Sequence, residues 1–85
     1  MKTVLIVLID NRSETAVNVQ KVLTAWGCII KTRLGIHDGV LDKCSQHGLL
    51  VLELVGEPSQ QEEFERKLDL IKGVSTQLVR LHPDE

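Results

Sequence analysis

Residues 4–9 read VLIVLI, and residues 10–13, which follow at once, read DNRS. An aliphatic run that is rich in β-branched residues and apolar on both faces is typical of a central strand. Aspartate, asparagine and serine at its end suit a turn and the cap of a following helix. Six apolar residues are also fewer than a secretory signal or a membrane span requires. The stretch therefore predicts a buried strand that leads directly into a helix.

Apolar residues at helical spacing predict two amphipathic helices, one over residues 13–26 and one over residues 58–72. In the second helix, Ser59 and Glu62 have the spacing of a capping box, in which each side chain satisfies a backbone N–H group. The stripes expected to face the core are Ala16, Val19, Leu23 and Trp26 in the first helix, and Phe64, Leu68 and Ile71 in the second.

A strand is predicted over residues 28–37, where apolar and polar side chains alternate. This alternation places Cys28 in the core and Lys31 and Arg33 on the opposite face of the sheet. The polar residues 38–47 then form a hairpin connection of unusual length, and long loops are often functional.

The last two predicted strands differ in polarity. Residues 48–56 are apolar on both faces apart from Glu53, as expected of a second central strand, whereas residues 74–81 are polar enough to predict an edge strand. If position numbers across the hairpin sum to about 84, Lys31 opposes Glu53 and Arg33 reaches it diagonally. This register predicts a cross-strand ion pair.

The order β-α-β-β-α-β is that of the ferredoxin-like fold, a split βαβ arrangement. Right-handed crossovers place both helices on one face of a four-stranded antiparallel sheet, with the first and third strands at its centre. We therefore predict a single α+β domain over residues 1–85.

Two helices cover only one face of such a sheet, although its central strands are apolar on both. Val4 and Ile6 point opposite to Leu5 and Val7, so that one of these sets stays uncovered. An exposed apolar patch of several hundred Å² is larger than monomers usually carry, and burying it is favourable. The sequence therefore predicts a homo-oligomer, a dimer or a tetramer, assembled through the open sheet face.

Composition excludes several classes of function. Ten basic and twelve acidic side chains give a net charge of −2, and aromatic residues make up 2% of the chain, so direct nucleic-acid binding is not expected. Two cysteines are too few for a disulfide framework, which favours a reducing cytoplasm.

A candidate effector site lies at the start of the first helix, at Asp10, Asn11, Arg12 and Ser13. Backbone N–H groups and the helix dipole favour an anion there, and Arg33 is a second candidate that would bind an anionic effector in a cleft between subunits. The alternatives are simple helix capping by the turn and an ion pair between Arg33 and Glu53.

The candidate metal ligands are His37, Cys44 and His47, which lie in or beside the long loop. Imidazole and thiolate groups bind nickel and zinc well, and a position sum of about 84 would place His37 opposite His47. The alternative is that these are loop residues without a ligand. No base and orienting group can be proposed for a nucleophilic serine or cysteine, so catalysis is not expected.

The chain resembles the ACT-type regulatory domains in residues 10–13 and 23–30, where a strand that ends in aspartate turns into an amphipathic helix. Residues 31–37, 48–56 and 68–74 resemble the small regulators associated with iron-only hydrogenase systems. That family is similar to the effector domain of nickel-responsive ribbon-helix-helix repressors, which bind metal through histidines and a cysteine around the central hairpin. The resemblance implies a ferredoxin-like regulator. Those repressors carry a separate DNA-binding segment, whereas the predicted elements use all 85 residues here, so direct DNA binding is not implied.

These observations together predict a non-catalytic, cytoplasmic, oligomeric module for regulation or sensing. It would bind a small effector or a metal ion at its subunit interfaces and signal to a protein partner. The alternative prediction is a small metal-binding protein or enzyme that uses His37, Cys44 and His47.

Overall fold

The predicted order of strands and helices is present in the computed structural model, which describes residues 1–10, 13–37 and 48–83. A 3₁₀ turn, Gly27–Ile29, follows the first helix. The main elements are β1 (Lys2–Ile9), α1 (Ser13–Ala25), β2 (Ile30–His37), β3 (Gly48–Leu54), α2 (Pro58–Asp69) and β4 (Val74–Leu81). No helix in the described part of the chain has the length and apolar character that crossing a membrane requires.

The described strands form one antiparallel sheet in the order β2-β3-β1-β4. Leu5 of β1 pairs with Leu52 of β3 on one side and with Leu78 of β4 on the other. The two strands with continuous apolar sequences are therefore the central pair, because only a central strand is shielded along both of its edges. The predicted α+β ferredoxin-like fold is confirmed.

The hydrophobic core lies between the sheet and the two helices. Leu5 and Leu52 are completely buried beneath Phe64 of α2, and Val19 of α1 packs into the same cluster. The rings of Trp26 and Phe64 lie with their centroids 5.8 Å apart and join the end of α1 to α2. The odd-numbered side chains of β1 and the even-numbered side chains of β3 thus face the helices.

The start of α2 differs from the prediction. The capping box consists of Glu57 and Gln60, two residues earlier than Ser59 and Glu62, and the Glu57 N–H group donates to Gln60 Oε1 over 2.9 Å. Pro58 explains the difference, since it lacks an N–H group and its fixed φ suits the first helical position. The preceding residue therefore becomes the cap.

The predicted start of β2 is also wrong, because residues 27–29 form the 3₁₀ turn and Cys28 is exposed rather than in the core. Ile30 pairs with Leu54, but Thr32 pairs with Glu53, so that Lys31 is an extra residue in β2. Such a β-bulge reverses the alternation of the side chains that follow it. The rest of β2 consequently presents its side chains to the faces opposite to those predicted.

Candidate functional site

The sheet face opposite the helices, here called the open face, is the largest candidate for a functional surface. The strand register defines its residues, because paired residues on neighbouring strands point to the same face of the sheet. Leu34 is 55% exposed and Leu8 is 45% exposed, which are high values for leucines in a sheet. The aliphatic side chains of the open face are Val4, Ile6, Leu8, Leu34, Ile36, Leu49, Val51, Val79 and Leu81.

A polar cluster, here called the Glu53 corner, interrupts this aliphatic surface. The Lys2 Nζ atom donates a hydrogen bond to the Glu53 carboxylate over 3.0 Å, and the Thr32 hydroxyl donates to the same carboxylate over 3.4 Å. The hydrogen bond from Lys2 is the main reason that the pKa of Glu53 lies below its ordinary value of 4.5, and the charge of Lys31 lowers that pKa further. Glu53 is the one acidic side chain on the open face among the described residues.

Arg33 does not lie on the open face, contrary to the prediction. It pairs with Leu52, whose side chain points to the helices, and its Nη2 atom donates to Gln20 Oε1 on α1 over 2.9 Å. Lys31 does not oppose Glu53 either, because Thr32 occupies that position. The bulge at Lys31 accounts for both corrections, since it shifts the position sum along β2 and β3 by one.

The strand that leads into α1 is anchored to the turn before β4. The Asp10 N–H group donates to the Gly73 carbonyl over 3.0 Å, and the buried Thr15 hydroxyl donates to the Lys72 carbonyl over 3.3 Å. Ser13 is the exposed first residue of α1. Of the predicted effector loop, Asn11 and Arg12 lie outside the described residues.

Within one subunit, Arg33 and the effector loop are distant from each other. Arg33 is in register with Leu52, and Leu52 is in register with Leu5, whereas Asp10 lies five residues further along the chain. At about 3.3 Å per residue, this separates them by roughly 17 Å along the strand direction. The two candidate anion-binding positions are therefore separate sites, unless assembly of two subunits brings them together.

The metal prediction falls largely on residues outside the described part of the chain, namely Cys44, His47 and the side chain of His37. The backbone of His37 pairs with Gly48 rather than with His47, again because the position sum is 85 along this part of the hairpin. Within the described residues, no group of three or more histidine, cysteine or acidic side chains is placed to hold a metal ion. The proposed ligand set stays a prediction.

Neither Lys2 nor Thr32 is among the residues predicted from the sequence to contact Glu53, although both donate to its carboxylate. Lys2 and Val4 lie two residues apart and therefore share one face of β1. This alternation is a sequence signal that predicts Lys2 on the open face. Thr32 gave no such signal, since its position opposite Glu53 depends on the bulge at Lys31.

Comparison with known proteins supports the fold alone. No protein-family model matches the sequence, and no curated protein matches it significantly. The structure is similar to that of the uncharacterized protein TM1266 from Thermotoga maritima, with a TM-score of 0.82 and 21% sequence identity. The match covers 95% of this chain and 96% of that one. The ferredoxin-like fold of the two proteins thus extends over nearly their whole length.

Proposed function

We propose that this protein is a non-catalytic regulatory module that assembles into homo-oligomers through its open face. It binds a small effector or a metal ion where subunits meet and signals to a protein partner in the cytoplasm. The observation that carries the proposal is the exposure of Leu8, Leu34 and Ile36 on a sheet face that neither α1 nor α2 covers.

The size of the open face supports assembly. At the usual strand spacing and rise, four strands of about eight residues cover roughly 500 Å². Patches of this size on monomers often mark interaction sites, and the burial of apolar surface favours association, although the freedom that two subunits lose offsets part of the gain. A small domain gains more from such burial than a large one, because its own core is small.

The regulatory role is supported by the resemblance of residues 31–37, 48–56 and 68–74 to hydrogenase-associated regulators. The exposed guanidinium of Arg33 and the start of α1 at Ser13 both favour anions, and both lie at the periphery of the sheet. We therefore expect the effector to be a small anion.

Native mass spectrometry of the untagged protein as purified tests this proposal. We expect an oligomer at micromolar concentration that carries a bound small molecule or binds one on addition of cell metabolite fractions. A monomer over the same concentration range would overturn the proposal. So would a specific shift of DNA by the isolated protein, since direct nucleic-acid binding is not part of it.

The metal-binding alternative rests on His37, Cys44 and His47 and has its own test. Added nickel or zinc would bind at one ion per subunit in the native mass spectrum. A variant with both His37→Ala and His47→Ala would lose this ion, whereas His82→Ala, the matched control at the remaining histidine, would retain it. Metal binding that is unchanged in the double variant would remove this ligand set.

A further inference from the structure

We infer that the second copy packs on the open face with aligned strands and a two-fold axis parallel to the strands, so that Lys2 of each subunit reaches Glu53 of the other. This inference rests on the proposed assembly and specifies its geometry. In it, the Glu53 corner determines how two largely aliphatic faces are oriented.

Glu53 lies among neutral side chains at the adjacent positions of the open face. On the open face it is flanked by Thr32 on β2 and by Val4 on β1, and the next outward residue along β3 toward the hairpin is Val51. A carboxylate covered by a second sheet loses water and must be compensated by charges and hydrogen bonds. The approach of the second copy is therefore favourable only where it does not place an aliphatic surface alone over Glu53.

Sheets that pack with aligned strands keep them within about 30° of each other, and a two-fold axis then lies either along or across the strands. With the axis along the strands and between β1 and β3, β1 of each copy lies over β3 of the other copy. Residues that are in register within one sheet then lie at the same position along the strands of both sheets. Val4 of the second copy then lies over Glu53, because the two residues are in register. Lys2, two residues from Val4 on the same face, lies within reach of that carboxylate.

With the axis across the strands, each strand lies over the same strand of the second copy, and the two run in opposite directions. Glu53 would then lie against Val51 of the second copy, and Lys2 of that copy would lie over Leu8, far from any carboxylate of the open face. A shift along the strands that brought Lys2 back to Glu53 would leave Leu49 and Ile36 uncovered. The axis along the strands satisfies the charges and the aliphatic surface together.

A second copy of this chain fits the surface better than an unrelated partner for two reasons. Among the described residues of the open face, the acidic Glu53 lies next to the basic Lys2, and the charge of Lys31 also reaches Glu53, so that acidic and basic groups of two copies can face each other. Two copies bury roughly 1,000 Å² in total, counted from strand spacings, which reaches the lower limit of stable interfaces.

Cross-linking distinguishes the two axes. In the inferred dimer, β2 faces β4 of the second copy. Leu34 lies opposite Gln77 of that copy, because the strand register places these two residues at the same position along the strands of one sheet. In a background of Cys28→Ser and Cys44→Ser, the pair Leu34→Cys and Gln77→Cys would give a covalent dimer with a short bismaleimide. The control pair Leu34→Cys and Thr32→Cys would give a covalent dimer only if the axis ran across the strands.

The outcomes separate this inference from the proposal on which it rests. A dimer by native mass whose Leu34 and Gln77 positions cross-link, while the control pair does not, supports the inference. A dimer by mass in which the control pair cross-links, or neither pair does, overturns the inference and leaves the oligomeric proposal intact. A monomer by mass overturns both.

A charge-exchange experiment tests the role of Glu53 independently. When Lys2→Glu and Glu53→Lys proteins are mixed, the inter-subunit pairs are restored only in the mixed dimer, and the pairs within each subunit stay mismatched. We expect the ratio of the mixed dimer to the same-variant dimers to exceed its statistical value by several-fold. Lys67→Glu mixed with Glu62→Lys, both on α2, is the matched control, and an equal excess there would overturn the inference.

Discussion

The Lys2 ammonium lies 3.0 Å from the Glu53 carboxylate and links the two central strands of the sheet on its open face. The side chain of Lys2 is 67% exposed, whereas that of Glu53 is only 25% exposed. Thr32 of the edge strand donates to the same carboxylate. One carboxylate therefore ties three adjacent strands together on a face whose other side chains are mostly aliphatic.

The pH dependence of stability follows from this contact. Since the pKa of Glu53 is lowered from 4.5 in the folded protein, the ionised group stabilises the fold fully above its unfolded pKa. That stabilisation is lost as pH falls through the lowered folded pKa. We expect the difference in urea midpoint between wild type and Glu53→Gln to be constant from pH 7 to about pH 5 and to shrink in more acidic buffer.

The fluorescence of Trp26, the single tryptophan, reports this unfolding, because its ring packs against Phe64 in the core. Protein concentration must be the same in every sample, since association contributes to the apparent stability. An equal difference between the two proteins at pH 7 and at pH 3 would contradict the role assigned to the Glu53 carboxylate.

Substitution of Gly73 tests the packing of the turn before β4. Gly73 has a φ of +93°, and a β-carbon there would lie 2.6 Å from the carboxyl carbon of Asp10. We expect Gly73→Ala to lower the free energy of unfolding by at least about 1–2 kcal/mol. Gly27→Ala is the matched control, because a β-carbon at Gly27 meets nothing within 4 Å, and it should change stability by less than about 0.5 kcal/mol.

Gln61 is a buried amide that supports the loop between β3 and α2. Its Nε2 atom donates to the carbonyls of Val55 and Gly56 over 3.4 Å, and its Oε1 atom accepts from Arg80 over 3.2 Å. Gln61→Ala would leave these groups without their partner and cost about 1–3 kcal/mol in urea denaturation. The exposed Gln20→Ala should cost less than about 0.5 kcal/mol, and equal losses in the two variants would refute the distinction.

The elements of the fold could be predicted because burial leaves a direct periodic pattern in the sequence. Phe64 and Leu68 face the core at helical spacing, and the unbroken apolar run of β1 marks a strand shielded on both edges. The right-handed crossover rule then leaves one arrangement of the helices. The open face follows from the same pattern, since β1 and β3 are apolar on the side without helices.

The facing of β2 could not be predicted from alternation alone. Ile29 is buried and Ile30, the next residue, also packs against the core, so two consecutive side chains point to the same side. The chain accommodates them with the 3₁₀ turn and the extra residue Lys31. Alternation counted from Cys28 therefore assigned Leu34 to the covered face, although packing against Val51 places it on the open one.

The candidate sites were predicted less completely, because a site depends on what several elements bring together. The association of Lys2 with Glu53 joins residues 51 positions apart and follows only from the register of β1 and β3. Cys44 and His47 of the metal prediction lie outside the described residues, and their polar stretch of sequence shows no periodic pattern. Their spacing in the sequence therefore carries no geometric information by itself.

The central claim is that the open face holds the subunits together, and sedimentation velocity of two leucine variants tests it most directly. Leu34 on the open face and Leu70 after α2 are exposed to similar extents, 55% and 69%. We predict that wild type and Leu70→Glu sediment as the same oligomer at 50 μM, about 50-fold above a micromolar Kd, whereas Leu34→Glu sediments as a folded monomer. Wild-type protein that sediments as a monomer, or a Leu34→Glu variant that stays oligomeric, would contradict the account.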